Sequence, residues 1–205
     1  MRILRTLLAS LVLIVVGGVL LAAATDRFHA FTSETARRVR IRQQHPRVPD
    51  VLLETQSGAR IKLGDLRGKW LLVDFIYTRC MTYCSVLGGE FAQLQTRLAT
   101  PLAQGKLQLL SISFDPAHDA PPQLAGYLNR FRDHGNGWLA ARPLDTAGLT
   151  ELKQIFGITV IPDRLGGFVH NTGIELVNPQ GQLVDIFDPG NPGHIGKTVM
   201  QYLER

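Results

Sequence analysis

The chain opens on one long apolar stretch, turns polar, and then settles into short apolar runs separated by turn residues. Leu7 to Ala24 is interrupted only by Ser10 and the Gly17-Gly18 pair, and Arg2 and Arg5 precede it. A run with no polar face, near the lower end of the ~17–25 residues that cross a bilayer, predicts a membrane anchor or an export signal. Ala22-Ala23-Ala24 suits a cleavage site, but the run is long for a signal core, which favours a retained anchor. Arginines flank it on both sides, so charge leaves the orientation ambiguous. Residues 26–50 are polar and Arg-rich with Pro46 and Pro49, which predicts a linker, part of it suited to a short helix at lipid headgroups.

From residue 51 the pattern alternates between strand and helix. Val51–Thr55 and Ala59–Leu63 flank Gln56-Ser57-Gly58 as a hairpin. Trp70–Tyr77 is a short β-branched and aromatic run, the signature of a buried strand. Val86, Phe91, Leu94 and Leu98 then recur at helical spacing. Leu107–Phe114 is a second buried strand, closed by Asp115-Pro116. Pro121-Pro122 opens a helix through Leu124, Tyr127, Leu128 and Phe131. Leu139–Leu144 reads as a short strand, and Thr146 as the cap of a helix that stops at Gly157. Gly173–Val177 and Gln182–Phe187 flank Asn178-Pro179-Gln180-Gly181 as a second hairpin, and a helix covers roughly 195–203. This order predicts an α/β domain over 51–205, behind an anchor at 1–25 and a linker at 26–50.

Composition changes this picture little. The net charge is +5, but eight of the 22 basic residues and three of the 17 acidic ones fall within residues 1–50, leaving fourteen of each sign beyond. The domain is neutral, and no nucleic-acid surface is implied.

The chemistry lies in Cys80-Met81-Thr82-Tyr83-Cys84, which holds the only two cysteines of the 205-residue chain. The pair stands where the Trp70–Tyr77 strand hands over to a helix. A helix start offers unpaired N–H groups and a positive dipole end, both of which favour thiolate. If Cys84 is in the first turn, the two sulfurs can share one side, as positions i and i+4 do. Such a pair can hold a soft metal ion or close into a disulfide. A loop this short restricts the unfolded chain little, so a purely structural bridge would gain little. The arrangement narrows the fold class to thioredoxin-like.

These residues carry a resemblance. Phe75-Ile76-Tyr77-Thr78-Arg79-Cys80 leading into C-x-x-x-C, Ser113-Phe114-Asp115-Pro116 after the next strand, a lone His170 ahead of the Asn178-Pro179-Gln180-Gly181 hairpin, and the apolar N-terminus together resemble the Sco (SenC) family of membrane-anchored thioredoxin-fold copper proteins. The resemblance implies one copper ion bound by Cys80, Cys84 and His170. Two thiolates and an imidazole suit Cu(I) and also accept Cu(II) in a tetragonal environment. It further implies delivery of copper to the CuA-bearing subunit of cytochrome c oxidase, or reduction of that site's cysteines, by a domain anchored in the inner membrane and facing the periplasm. The family usually has proline after each cysteine and an acidic residue between them. This chain has Met81, Ser85 and Thr82 there, and Met81 adds a thioether. Gly166-Gly167 implies a mobile loop that closes His170 over the cysteines.

Asp74 supports a rival reading. It lies inside an apolar strand, six residues before Cys80, as in thioredoxins. A carboxylate buried there has a raised pKa and can exchange protons with Cys84. That describes a membrane-tethered thiol–disulfide oxidoreductase in which Cys80 attacks, Cys84 resolves and Asp74 is the proton acceptor. Among other polar residues, Asp115 reads as a hydrogen-bond acceptor or an Asp-Pro turn, His118 and His134 as surface residues, and His194 as a cap or solvent-facing group.

Overall fold

The structure is a computed structural model that describes residues 2–24, 32–80, 83–131, 137–164, 166–171 and 173–204. It divides into two units, Met1–Gln44 and His45–Arg205. The first holds two helices, α1 (Arg2–Ala24) and α2 (Ser33–Gln44). Within α1, Ile3–Ala23 is long and apolar enough to cross a membrane. In α2, Glu34 lies 2.8 Å from Arg37 and 3.3 Å from Arg38, one turn on.

The second unit is built on a seven-stranded sheet. Its strands are β1 (Leu52–Thr55), β2 (Arg60–Lys62), β3 (Trp70–Ile76), β4 (Leu107–Ser113), β5 (Trp138–Pro143), β8 (Ile174–Val177) and β9 (Leu183–Phe187), in the order β2-β1-β5-β4-β3-β8-β9. The centre, β3-β4-β5, is parallel. Both flanks are antiparallel hairpins, as their turn residues predict. Two more strands, β6 (Val160–Pro162) and β7 (Phe168–His170), form a separate ribbon. The helices of this unit are α3 (Tyr83–Arg97), α4 (Ala99–Ala103), α5 (Pro121–Arg130), α6 (Thr146–Phe156) and α7 (Pro192–Leu203).

Strand alternation assigns the two faces. Trp138 of β5 meets Phe91 of α3 (ring centroids 5.5 Å apart) and Tyr127 of α5 (6.2 Å), and Trp70 of β3 meets Tyr202 of α7 (5.6 Å). On the opposite face Phe75 of β3 packs edge-on to Phe156 of α6 at 5.1 Å. β3 is thus buried on both sides, which is why its sequence is apolar throughout rather than alternating. Gly88 lets α3 approach Phe131, whose ring would stand 2.3 Å from any Cβ placed there.

Three boundaries differ from the sequence expectation. Thr146 is the first residue of α6, not its cap. Asp145 does the capping, accepting from the Gly148 N–H at 2.6 Å, because its carboxylate also meets the positive helix end. Asn191 likewise caps α7, which starts at Pro192. The sheet-bearing unit also starts before residue 51: Val48 N–H donates to the Gly181 carbonyl (2.9 Å) and Leu183 N–H to that of Pro46 (3.0 Å). The remainder of the thioredoxin-like layout stands as read.

Candidate metal centre

The cysteine stretch follows the C-terminal end of β3, the parallel strand that borders antiparallel β8. Its first part is a turn in which Cys80 N–H donates to the Tyr77 carbonyl at 3.2 Å. Cys80 is buried, with 4% of its surface exposed. Met81 and Thr82 lie outside the described residues, as do the side chains of Tyr83 and Cys84. Cys84 is the second residue of α3 as described, so its backbone stands in the first turn, where N–H groups lack intrahelical partners and the dipole is positive. Cys80 belongs to the turn ahead of the helix. The condition set from the spacing, that Cys84 stand in the first turn, is met by its backbone.

The turn is clamped from below. Asp119, with no exposed surface, accepts from Thr78 N–H (3.1 Å), Thr78 Oγ1 (2.6 Å) and Ser113 Oγ (2.6 Å). Beside it, Asp115 accepts from Arg79 Nη2 (2.8 Å) and lies 2.8 Å from His118 Nδ1. Burial alone would raise the Asp115 pKa, but the bonds from His118 and Arg79 outweigh it and hold the carboxyl below its usual range. Asp115 is thus an acceptor as well as the head of an Asp-Pro turn, and His118 is exposed on the surface. His194 is exposed too, its backbone N–H bonded to the Asn191 cap. His134 lies outside the described residues.

His170 ends β7 and pairs with Val160. Gly166 and Gly167 stand in the connection between β6 and β7, just ahead of Phe168. Asp163 N–H donates to the Gly167 carbonyl (2.9 Å), and Gly167 N–H returns to Asp163 Oδ1 (2.8 Å). The ribbon rests on aromatic rings: Tyr77 meets Phe168 edge-on at 5.2 Å, and the His170 ring lies 4.9 Å from Phe114 and 6.2 Å from Tyr77. Tyr77 also opens the Cys80 turn, so one residue meets the cysteine stretch through its carbonyl and the histidine ribbon through its ring. His170 Nδ1 lies 3.0 Å from the Asn171 carbonyl, a bond that requires Nδ1–H and leaves the lone pair on Nε2. Burial lowers the His170 pKa, so the neutral, ligating form of the ring is favoured. Among the described residues no three His, Cys, Asp or Glu side chains gather closely enough to hold a metal ion, and the Cys84 thiol is outside that set.

Asp74 is fully buried in mid-β3. It pairs with Ser111 of β4 and so shares the face covered by α3, α5 and α7. Neither carboxyl oxygen is in hydrogen-bond geometry. Burial pushes its pKa up to about 8; the neighbouring Ser111 hydroxyl pulls it partly back, and Glu175 on β8 pushes it further up. Asp74 is thus buried in the core ahead of Cys80 with its pKa raised, as its place in the strand predicts.

Sequence reasoning missed Thr78, Ser113 and Asp119 as a unit. The Asp-Pro-x-x-Asp spacing of Asp115 and Asp119 was its only trace.

Comparison with known proteins adds four findings. A family model described as SCO1/SenC matches residues 40–204. A Bacillus subtilis protein named as an SCO1 homolog is 26% identical over 133 residues, covering 64% of this chain and 68% of its own length. A Stutzerimonas stutzeri protein whose name describes copper binding is 27% identical over 187 residues, covering 89% and 88%. Among solved structures, Bradyrhizobium japonicum ScoI with copper bound superposes with a TM-score of 0.66 at 22% identity, over 77% of this chain and 99% of that one. At that identity the likeness speaks for the fold.

Proposed function

The chain belongs to the SCO1/SenC family, and from that premise we propose that it binds one copper ion as cargo through Cys80, Cys84 and His170 and hands it to the CuA-bearing subunit during cytochrome c oxidase assembly. The observation that carries this reading is the shared support of the two ligand segments: Tyr77 opens the Cys80 turn and also packs against the His170 ring. The donor set fits the ion. Two sulfurs and an imidazole are soft enough for Cu(I), and the Nδ1 bond to Asn171 presents Nε2 as the coordinating atom. The copper in the names of the Stutzerimonas stutzeri relative and of the Bradyrhizobium japonicum structure points the same way. Release is a ligand exchange in which the client's thiolates replace Cys80 and Cys84, with no net oxidation. The N-terminal helix α1 holds the domain to the membrane on its extracytoplasmic side.

A second reading rests on Asp74. In it the reduced cysteine pair converts a client disulfide to two thiols and is itself oxidised to a disulfide, with Asp74 accepting the Cys84 proton. One experiment separates the two. Full chain in detergent micelles, loaded with Cu(I) under anaerobic conditions, is mixed with a CuA-bearing subunit whose cysteines are already reduced. Cargo delivery predicts loss of copper from this chain and its recovery on the subunit. Retention of all the copper, combined with rapid reduction of an oxidised subunit by the copper-free protein, would overturn delivery in favour of reduction.

A further inference from the structure

We infer that Asp119 is the positioning residue of the metal centre: its buried carboxylate holds the Thr78-Arg79-Cys80 turn in the one conformation that presents the Cys80 sulfur. The inference rests on the proposed function for its metal, but not for its geometry.

The turn from Tyr77 to Cys80 is closed by the Cys80 N–H to Tyr77 carbonyl bond. The N–H of Thr78 points away from that closure and would be an orphan in a buried place, because Thr78 is 7% exposed. Asp119 Oδ2 accepts it, and Oδ1 accepts the hydroxyl of the same residue, so Thr78 is gripped by backbone and side chain at once. Ser113 completes the clamp. Its hydroxyl donates to Oδ2, while its oxygen accepts the Asp115 N–H at 3.0 Å. Ser113 is also aligned with Ile76 at the ends of the two central parallel strands. The clamp therefore ties the cysteine turn to the end of β4, the middle strand of the sheet.

A carboxylate with no exposed surface is tolerated only when its oxygens are met by donors, and the two hydroxyl bonds, at 2.6 Å each, are short. The grip also explains why Arg79, the next residue, turns outward to Asp115. With Thr78 fixed below, residue 79 is the exposed corner of the turn, and Cys80 is delivered back into the interior at 4% exposure. The bonds of Asp119 go to Thr78 and Ser113, so it acts on Cys80 through Thr78.

The test is Asp119→Asn, which keeps the shape but removes the charge and replaces one acceptor oxygen with a donor: an NH2 at the Oδ2 place loses the Thr78 N–H bond, and one at the Oδ1 place forces the Thr78 hydroxyl to turn from donor to acceptor. In a Cys84→Ser background Cys80 is the only thiol, and its alkylation by iodoacetamide reads the turn without any metal. The inference predicts a rate at least about fivefold above the parent, since a buried sulfur is released when its turn loosens. With Cys84 restored, Cu(I) affinity should fall about tenfold or more, the usual range for losing a support behind a ligand. Leu53→Ala on β1, beyond β5, destabilises the core without touching the turn and should leave the alkylation rate near the parent's. Thr78→Ser, which keeps the hydroxyl, should behave as the parent, while Thr78→Val should move toward Asp119→Asn. Rates and affinities within twofold of the parent in a folded Asp119→Asn would overturn the inference. If that variant does not fold, parent-like alkylation in Thr78→Val would overturn it instead. A parent that binds no copper would sink the proposed function while the alkylation comparison still decided the positioning role.

Discussion

Replacing Asp74 by Asn should leave stability nearly unchanged near pH 4 and raise it progressively as the pH climbs to 8. The carboxyl has a pKa of about 8 in the folded protein against 3.8 as its ordinary value. Between those limits the folded state holds a proton that the unfolded state has released. Stability then falls as pH rises, by up to about 1.4 kcal/mol per pH unit for one group. Such a raised group contributes its full stability below pH 4 and loses it as the pH rises through about 8. Asparagine has no proton to hold, so the difference between variant and parent isolates this one titration. We expect a gain of about 2–4 kcal/mol at pH 8, because the buried site relaxes and the neighbouring Glu175 shares the titration. Urea unfolding of both proteins at pH 4.5, 6 and 8 measures it. A stability difference that stays flat across that range would show that Asp74 is not held protonated by its burial. A core carboxyl that destabilises the fold at neutral pH is unusual, and it gives the thiol–disulfide reading its physical interest.

The second large effect concerns the sulfurs. Cys84→Ser should lower Cu(I) affinity by ~100- to 1000-fold, taking ~3–4 kcal/mol as one ligand's share of a metal site held by roughly 10–16 kcal/mol. Serine keeps the shape, but its hydroxyl is a hard donor with a high pKa and does not replace a thiolate on a soft ion. The position magnifies the change. The first turn of α3 supplies orphan N–H groups and a positive dipole end that favour the thiolate of Cys84, and a neutral hydroxyl cannot use them. A competition titration with a Cu(I) chelator reads the difference. Affinity unchanged by the substitution would mean that Cys84 is not a ligand.

How much of this was legible beforehand follows from the range of the forces involved. β3 and β4 announced themselves because strands buried on both faces must be apolar throughout. The two flanking hairpins did so because Ser57-Gly58 and Asn178-Pro179-Gln180-Gly181 are turn chemistry. The cysteine pair was visible for a related reason: its place between strand and helix is a local fact. The β6–β7 ribbon was not visible. Each strand has three residues, one of them includes Pro162, and the stability of the ribbon comes from Tyr77 and Phe114, far away in sequence. Residues 46–48 looked like linker because prolines and an arginine carry no period, although their backbone pairs with the 181–183 segment. Asp119 was hidden most completely. A buried acid in a polar loop has no pattern, and its meaning depends on Thr78, 41 residues earlier. His170 was found only through family resemblance, since nothing local distinguishes a ligating histidine from a packed one.

The most direct test of the central claim is an anaerobic Cu(I) titration of the full chain in detergent, with both cysteines reduced, beside His170→Ala. The account predicts one ion bound tightly per chain in the parent and an affinity at least ~100-fold weaker in the variant. A parent that binds no copper, or a variant that binds it as tightly as the parent, would contradict the account.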